Sequence, residues 1–487
     1  MLKTLPIEEF GKRDLDGLRG FLGACREEAC GDNHSKIASI SLGVGHIDPL
    51  AVLESIYEES ELHFYWENPA GGVAVAGAEA VEMCVTSGPG RFQDVRVFSE
   101  SVLDRCIAVG EFEEPFAGPH FFSAFTFSDD GGGTRSRSGI ASDESGFPAA
   151  RVFLPRWQVS RKGGRYSAVA NVVVAPDSDI GQLAERVWAA HGKFQKFDYP
   201  GTASAAIKDR ERSSPLVRAE VGGAGRFENS VAEVLDRIRA GKYDKIVLSR
   251  AIDVSSEVPL KPLDALNRLR NDYGSCYAFS VANGDGKSFI GATPERLVAV
   301  ENAALRTEAL AGSAPRGRTA REDAAFAQAL LGSGKEGHEH RVVVDSIVRR
   351  LQALGMTPEV AHRPELFQLQ NVQHLRSPIH AKIPEGIHLL DIVAALHPTP
   401  AVGGAPRKAA VPDIRGFEPF ERGLFTGAVG WFDARGCGEF AVAIRSALIN
   451  GNTARVFAGS GIVEGSDPLK EKEETDLKLS AMLDRLS

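Results

Sequence analysis

Asp244-Lys-Ile-Val-Leu-Ser-Arg250 is an apolar run broken by charge, and its reading fixes how the rest of the chain is parsed. As a strand with a two-residue period it puts Lys245, Val247 and Ser249 on one face and Ile246, Leu248 and Arg250 on the other. Neither face is wholly apolar. A charge inside such a run is costly unless it is paired, functional or at the surface, so a strand-end surface lysine and a buried working lysine both stand open here.

Outward from this strand the pattern alternates between two periods. On its N-terminal side Phe227–Ala240 carries Val231, Val234, Leu235 and Ile238 at helical spacing, and the polar, small and charged stretch Thr202–Gly225 before it is the best candidate boundary. The expected division is 1–226, a sheet-rich part integrated into the same fold, and 227–487, a catalytic region. On the C-terminal side follow a strand (Lys245–Val254), a helix (Pro262–Asn271), two strands (Ala278–Val281 and Ser288–Ala292) and helices near Arg321–Leu331 and Glu336–Ala353. Strands at Gly427–Trp431, Glu439–Leu448 and Thr453–Gly459 precede a helix from about Pro468 to Leu486. The first half adds strands at Lys36–Leu42, Gly118–Phe127 and Tyr166–Val174. Its Asp129-Asp-Gly-Gly-Gly133 cluster lacks the phosphate-loop pattern and reads as a hairpin turn or mobile loop. Antiparallel strands interspersed with helices give an α+β fold.

Composition narrows the function. The chain has 487 residues, 43% hydrophobic and 25% charged, enough for a large core, and a net charge of −9 argues against a nucleic-acid partner. The basic stretch Arg316, Arg318 and Arg321 runs straight into Glu322 and Asp323 and reads as a solvated loop. Six cysteines without a CxxC pair suggest neither a disulfide framework nor a zinc-thiolate cluster. The start, Met1 to Pro6 followed by Glu8 and Glu9, has no signal pattern, and no apolar run approaches the roughly 20 residues that span a bilayer. A cytoplasmic protein that neither enters nor crosses a membrane is expected.

Four kinds of polar group could do chemistry. Glu336, Glu339 and His340 share a helical face, and Glu474 lies one turn from Lys478; carboxylates from two helices are what Mg2+ accepts, although both faces also read as solvated. A zinc site from His338, His340 and His374 lacks the HExxH spacing. The turns Ala311-Gly312-Ser313, Val402-Gly403-Gly404 and Ala458-Gly459-Ser460-Gly461 could bring backbone N–H groups to an anion, or be simple turns. Arg445, ending the run Ala441–Ile444, suits either a substrate carboxylate or a structural ion pair.

In order along the chain, Lys245-Ile-Val-Leu-Ser-Arg250, Gly291-Ala-Thr-Pro-Glu-Arg-Leu297, Ala311-Gly-Ser313, His338-Glu-His340, Val372-Gln-His-Leu375, His397-Pro-Thr-Pro-Ala401, Ala458-Gly-Ser-Gly-Ile462 and Glu471-x-x-Glu-Thr475 resemble the chorismate-utilising enzymes. That family includes anthranilate, aminodeoxychorismate, salicylate and isochorismate synthases, and the resemblance runs from Phe227 to Leu486. It implies a four-layer α/β/β/α fold with two large antiparallel sheets. It also implies roles: Lys245 as general base, Glu295 as general acid, and Glu339 and Glu474 as Mg2+ ligands. Arg445 with Gly459, Ser460 and Gly461 would hold the substrate carboxylate. His374 would lie near the ring, Lys478 near the metal end, and Gly312, Ser313 and Ala401 would complete the substrate site. Glu336 and Glu471 are the less secure ligands, and Lys472-Glu473, standing where relatives often carry an aromatic residue, makes the surroundings of the metal site less secure than Glu474 itself.

Forming isochorismate adds water at C2 of chorismate and expels the C4 hydroxyl, so a base and an acid are both needed. A free lysine near pKa 10.4 would require burial or a nearby cation to serve as base, and a depressed Lys245 pKa is predicted. Glu295 must conversely keep a proton, which a dry pocket favours. Ala401 and Ala311-Gly-Ser-Ala-Pro315 are similar to the isochorismate-forming members, which use water, and no glutaminase partner is expected. The long first half, with Phe153-Leu-Pro-Arg-Trp157, is more similar to menaquinone-type than to siderophore-type members. A salicylate-forming enzyme is the nearest rival; a zinc hydrolase and a non-catalytic homologue stand further off.

Overall fold

Alternating and apolar runs become strands through most of the chain, and a computed structural model describes them for residues 2–5, 14–130, 146–195 and 216–486. In chain order the strands are β1 (Lys3–Leu5), β2 (Lys36–Gly43), β3 (His63–Asn68), β4 (Val73–Thr86), β5 (Cys106–Gly110), β6 (His120–Phe125), β7 (Ala150–Lys162), β8 (Arg165–Val174), β9 (Val217–Glu220), β10 (Lys245–Ser255) and β11 (Tyr277–Ala282). They continue as β12 (Lys287–Thr293), β13 (Arg296–Glu301), β14 (Ala304–Pro315), β15 (Glu359–Val360), β16 (Glu365–Gln368), β17 (Val372–Lys382), β18 (Gly404–Ala405), β19 (Ala428–Asp433), β20 (Gly438–Val442), β21 (Ser446–Asn450) and β22 (Thr453–Val463). The α-helices among the described residues are α1 (Leu15–Asp32), α2 (Pro49–Ile56), α3 (Arg91–Asp104), α4 (Ile180–Gln195), α5 (Arg226–Arg239), α6 (Pro262–Asp272), α7 (Ala320–Gly332), α8 (Gly334–Ala353), α9 (Leu389–Leu396), α10 (Arg407–Phe417) and α11 (Pro468–Leu483).

The long strand β7 joins two sheets. Through β4 it leads to β3, β11, β12, β21, β22 and β10. Through β6 it leads to β19, β20, β13, β14 and β17. All these ladders are antiparallel. The parallel pairs β1–β5 and β2–β5 belong to a wing attached through β8 and covered by α1 and α4. Strands of the first half are thus interleaved with the second: β3 pairs with β11, and β6 with β19.

The two sheets face each other across an aromatic layer that includes Phe64, Phe122, Phe153, Phe279, Phe289 and Phe457, with Phe64 stacked on Phe122 at 4.6 Å. Burying each such ring stabilises the fold by about 1.5–3 kcal/mol. On the outer face of the sheet containing β13 and β14, Val298, Leu305 and Ala309 pack against Val95 of α3, Val343 and Ile347 of α8 and Val393 of α9. On the other outer face, Ala278, Ile290 and Val456 pack against Leu53 of α2, Leu266 of α6 and Met482 of α11. Helices, sheet, sheet, helices: the expected four-layer α+β architecture is the one observed.

One expected strand is broken. Glu439–Leu448 reads as continuous, but β20 ends at Val442 and β21 begins at Ser446. At the break Arg445 takes φ 50°, the left-handed region that costs an L-residue roughly 1–3 kcal/mol. The break faces the turn between β12 and β13, for Val442 N donates to Glu295 O (3.0 Å) and Ala292 N to Arg445 O (3.0 Å). Apolar periodicity carries no sign of it.

In the stretch read as a solvated loop, Arg318 and Arg321 are exposed, while Arg316 is half-buried and tied to α7 by a bidentate bond to Asp323 (2.7 Å twice). Gly131, Gly132 and Gly133, residues 202–215 of the expected boundary, and Met1, Pro6, Glu8 and Glu9 lie outside the described residues. Among the described residues no helix is long and apolar enough to cross a membrane.

Candidate active site

Beside the break between β20 and β21, a cavity of about 710 Å3, its open mouth included, forms between sheet ends and the helices α8 and α11. Glu295, Gly312, Ser313, Glu339, His374, Ala401, Arg445, Gly459, Gly461, Glu474 and Lys478 all line it. Lys245 and Ser460 stand directly behind that lining. Lys245 Nζ donates to Glu339 Oε1 (2.8 Å), and Ser460 Oγ donates to Glu471 and to Glu474 Oε2 (3.4 Å).

The surface reading of Lys245 is corrected here: the residue is fully buried. Its strand divides as the two-residue period predicts. Val247 faces the cavity, while Ile246 and Leu248 pack with α5 and α10. The burial asked of Lys245 is present, though its neighbour is the carboxylate of Glu339 rather than a cation. Space for this pair comes from Gly461 on β22, where an added Cβ would lie 2.5 Å from Glu339 Oε1 and 2.7 Å from Lys245 Cε.

Glu295 leaves the end of β12 through Pro294 and is 5% exposed. Burial drives its pKa up, the Lys245 charge opposes this, the Glu308 charge adds to it, and the outcome is about 8. The carboxyl therefore holds a proton at neutral pH, with Thr399 Oγ1 a distant 3.5 Å from Oε1. On the wall opposite the acid's strand end, a β-bulge at Gly312 (φ 78°) re-aims Ser313. Ser313 Oγ meets His374 Nδ1 at 3.0 Å, and its N–H donates to Glu336 Oε2 (3.0 Å). Burial, then the charges of Arg445 and Lys478, push His374 down to about 3, so this ring is neutral at physiological pH. Arg445 is 7% exposed, and among the described residues its guanidinium has no hydrogen bond or ion pair. A buried, unpaired cation facing a cavity is a seat for an anion.

The helix end of the cavity gathers charge. Lys245 pairs with Glu339, Lys335 with Glu471 (2.9 Å) and Glu336 (3.5 Å), and Lys478 with Glu474 (2.6 Å). Four carboxylates thus face three ammonium groups. Burial and then the charge of Glu339 raise the pKa of Glu336. Burial tends to raise Glu474 too, but the charge and hydrogen bond of Lys478 outweigh it and bring it to about 2. Among the described residues no three His, Cys, Asp or Glu side chains converge closely enough to hold a metal alone. Two carboxylates plus ligand and water oxygens is nevertheless a donor set that suits Mg2+. Zinc fits poorly: His338 is exposed, and both His340 nitrogens are engaged, by Ala311 O (3.2 Å) and Ser377 Oγ (2.8 Å).

Sequence reasoning missed the apolar lining, Val247, Leu310, Val402, Phe425, Ile444 and Phe457, together with Thr426 at φ 60°. The unread signal was Glu418-Pro-Phe-Glu-Arg-Gly-Leu-Phe-Thr-Gly427, a stretch in which charges alternate with aromatics and glycine.

A protonated acid and a buried lysine beside an unpaired guanidinium, gathered at one cavity, form the apparatus of an acid–base enzyme for an anionic substrate. Comparison with known proteins makes this specific: a family described as chorismate binding enzyme matches residues 24–487, and the chain belongs to that family. It is 33% identical over 477 residues to the salicylate biosynthesis isochorismate synthase of Pseudomonas aeruginosa, covering 97% of this chain and 95% of that one. It is 30% identical to isochorismate synthase MenF of Bacillus subtilis, over 93% and 94% of the two chains. Among solved structures, the menaquinone-specific isochorismate synthase MenF of Escherichia coli superposes with a TM-score of 0.74 at 24% identity, over 96% of this chain and 100% of that one. Anthranilate synthase component I of Streptococcus pneumoniae gives 0.64 at 22% identity, over 84% and 92%. These two likenesses bear on the fold.

Proposed function

We propose that the protein is an isochorismate synthase, an isomerase that converts chorismate to isochorismate. The observation that carries the reading is that Glu295, kept protonated by burial, and the buried Lys245 behind the lining serve one cavity. Full-length relatives named as isochorismate synthases support the same reaction. One of those names points to salicylate biosynthesis and the other is MenF, so the proposal concerns the reaction and leaves its pathway open.

In this reading a substrate carboxylate docks on Arg445, with the backbone of Gly459, Ser460 and Gly461 beside it, and the ring lies between Ala401, Val402 and the neutral His374. In its unprotonated form, reached once the ion pair with Glu339 releases it, Lys245 Nζ takes a proton from water as the water oxygen bonds to C2. The ring double bond shifts, the C4–O bond breaks, and Glu295 delivers its proton to the departing hydroxyl. Acid and base each supply about 10²–10⁴-fold in such chemistry. Gly312 and Ser313 hold His374 in place. Glu339 and Glu474 would hold Mg2+, with Lys478 beside them; the ion would neutralise and orient a substrate carboxylate.

The test is to incubate the purified protein with chorismate, with and without Mg2+ and without ammonium, and to identify products by chromatography and NMR. Mg2+-dependent isochorismate, reached from either direction as one equilibrium mixture, is expected. Salicylate with pyruvate would overturn the product assignment, and an inert protein the function.

A further inference from the structure

A fully buried ion pair lies outside the cavity and takes no part in the chemistry above. Arg422 and Glu418, with side chains 3% and 2% exposed, sit four residues apart in the loop that follows α10. Every N–H of the Arg422 guanidinium is used. Nε donates to Glu418 Oε2 (2.9 Å) and Nη2 to Glu418 Oε1 (2.6 Å). Nη2 also donates to Val247 O (2.9 Å), while Nη1 donates to Val402 O (2.7 Å) and Thr426 Oγ1 (3.3 Å). Five donors meet five acceptors, the full capacity of the group. Glu418 Oε1 accepts a further bond from Ser249 N (2.8 Å), and the Phe127 ring covers the guanidinium at 4.4 Å.

The acceptors are what give the pair its meaning. Val247, Val402 and Thr426 each line the cavity, and they come from three separate segments: the strand that carries Lys245, the turn that carries Ala401, and the turn that precedes β19. Elsewhere a buried ion pair can be exchanged for apolar side chains of like volume without loss of stability, so stability alone does not explain this one. A planar fork, by contrast, fixes direction as well as distance.

We infer that the Glu418–Arg422 pair is a positioning clamp that sets the separation of three cavity walls, and with it the fit of the substrate ring against Ala401 and Val402. The inference rests on the reading of the cavity as the chorismate site. Neither residue touches substrate, so the clamp acts through the backbone it holds.

Two variants test it. Arg422→Lys keeps the charge and gives up the fork; the double variant Glu418→Met with Arg422→Met keeps the volume and gives up all the anchors. Both are expected to fold, with a circular-dichroism spectrum like that of the unaltered protein, and to lose at least tenfold in kcat/KM for chorismate, mostly through KM. Hydrogen exchange should quicken at the amides of Ser249, Val402 and Gly403 and stay unchanged in α8. Folded variants with unaltered kcat/KM and unaltered exchange overturn the clamp. Collapse of both variants also overturns it, because the pair would then support the fold as a whole. If the unaltered protein turns out not to use chorismate, the functional reading fails, and the exchange pattern alone decides whether the walls are clamped.

Discussion

Replacing Glu295 by Gln should stabilise the protein while abolishing its activity, and the size of the gain follows from its environment. The carboxyl titrates near 8 in the folded protein, against an ordinary value of 4.5, with burial as the main cause. Below pH 4.5 the group is protonated in both folded and unfolded chains and contributes no difference. Between pH 4.5 and 8 the folded chain keeps a proton that the unfolded chain has released, so stability falls as pH rises through this window, by about 1.4 kcal/mol per unit. The deficit reaches about 3 kcal/mol at pH 7 and about 5 kcal/mol above pH 8. Glutamine has nearly the same shape and no charge to desolvate, so the variant should recover that deficit. Urea unfolding followed by tryptophan fluorescence at pH 5, 7 and 9 measures it. The gap between variant and unaltered protein should widen with pH at constant m-value, while isochorismate formation falls by 10²–10⁴-fold. A gap that is flat in pH, or a variant that is the less stable of the two at pH 9, would sink the argument that Glu295 is an acid held protonated by its pocket.

Other substitutions separate binding from chemistry. Arg445→Met should raise KM for chorismate by roughly 10–100-fold, as expected for loss of a charge-assisted bond of about 1.5–3 kcal/mol, with little change in kcat; steady-state kinetics decides, and an unchanged KM would refute the carboxylate seat. Gly461→Ala forces a methyl group against Glu339 and Lys245 and should lower kcat/KM by about 100-fold or more, with a modest stability loss of about 1–3 kcal/mol. A crystal structure of that variant with both side chains undisturbed would contradict the steric account. Glu474→Ala should raise the Mg2+ needed for half-maximal activity and weaken Mg2+ binding by calorimetry, each by about tenfold or more; an unaltered Mg2+ requirement would remove this ligand from the proposal.

Much of the fold was legible because its strands and helices keep clean periods. The run Lys245–Val254 appears as Lys245–Ser255, and the helix Pro262–Asn271 as Pro262–Asp272, since each is bounded by turn residues and has one face in a core. Ordered motifs located the cavity lining by resemblance, residue by residue, and the structure brings those residues to one place. What failed was local. Arg445 ends an apolar run that reads as unbroken strand, because its left-handed backbone is imposed by the neighbouring turn at Glu295 and not by its own side chain. The strand of Lys245 left the surface and the buried readings both open, because its partner, Glu339, lies 94 positions away. The clamp at Glu418 and Arg422 left no periodic signal, being a matter of carbonyl groups contributed by other segments.

The interleaving of β3 with β11 and of β6 with β19 has a consequence for any attempt to isolate the half of the chain that carries the motifs. A fragment of residues 227–486 would present two naked edges, Tyr277–Ala282 and Ala428–Asp433, each with buried apolar side chains on an inner face and a row of unpaired amides and carbonyls. Such edges recruit strands from other molecules, so the fragment would be prone to aggregate. In the intact chain β3 and β6 cap both edges before any neighbour can, and the first half serves as a built-in guard against self-association.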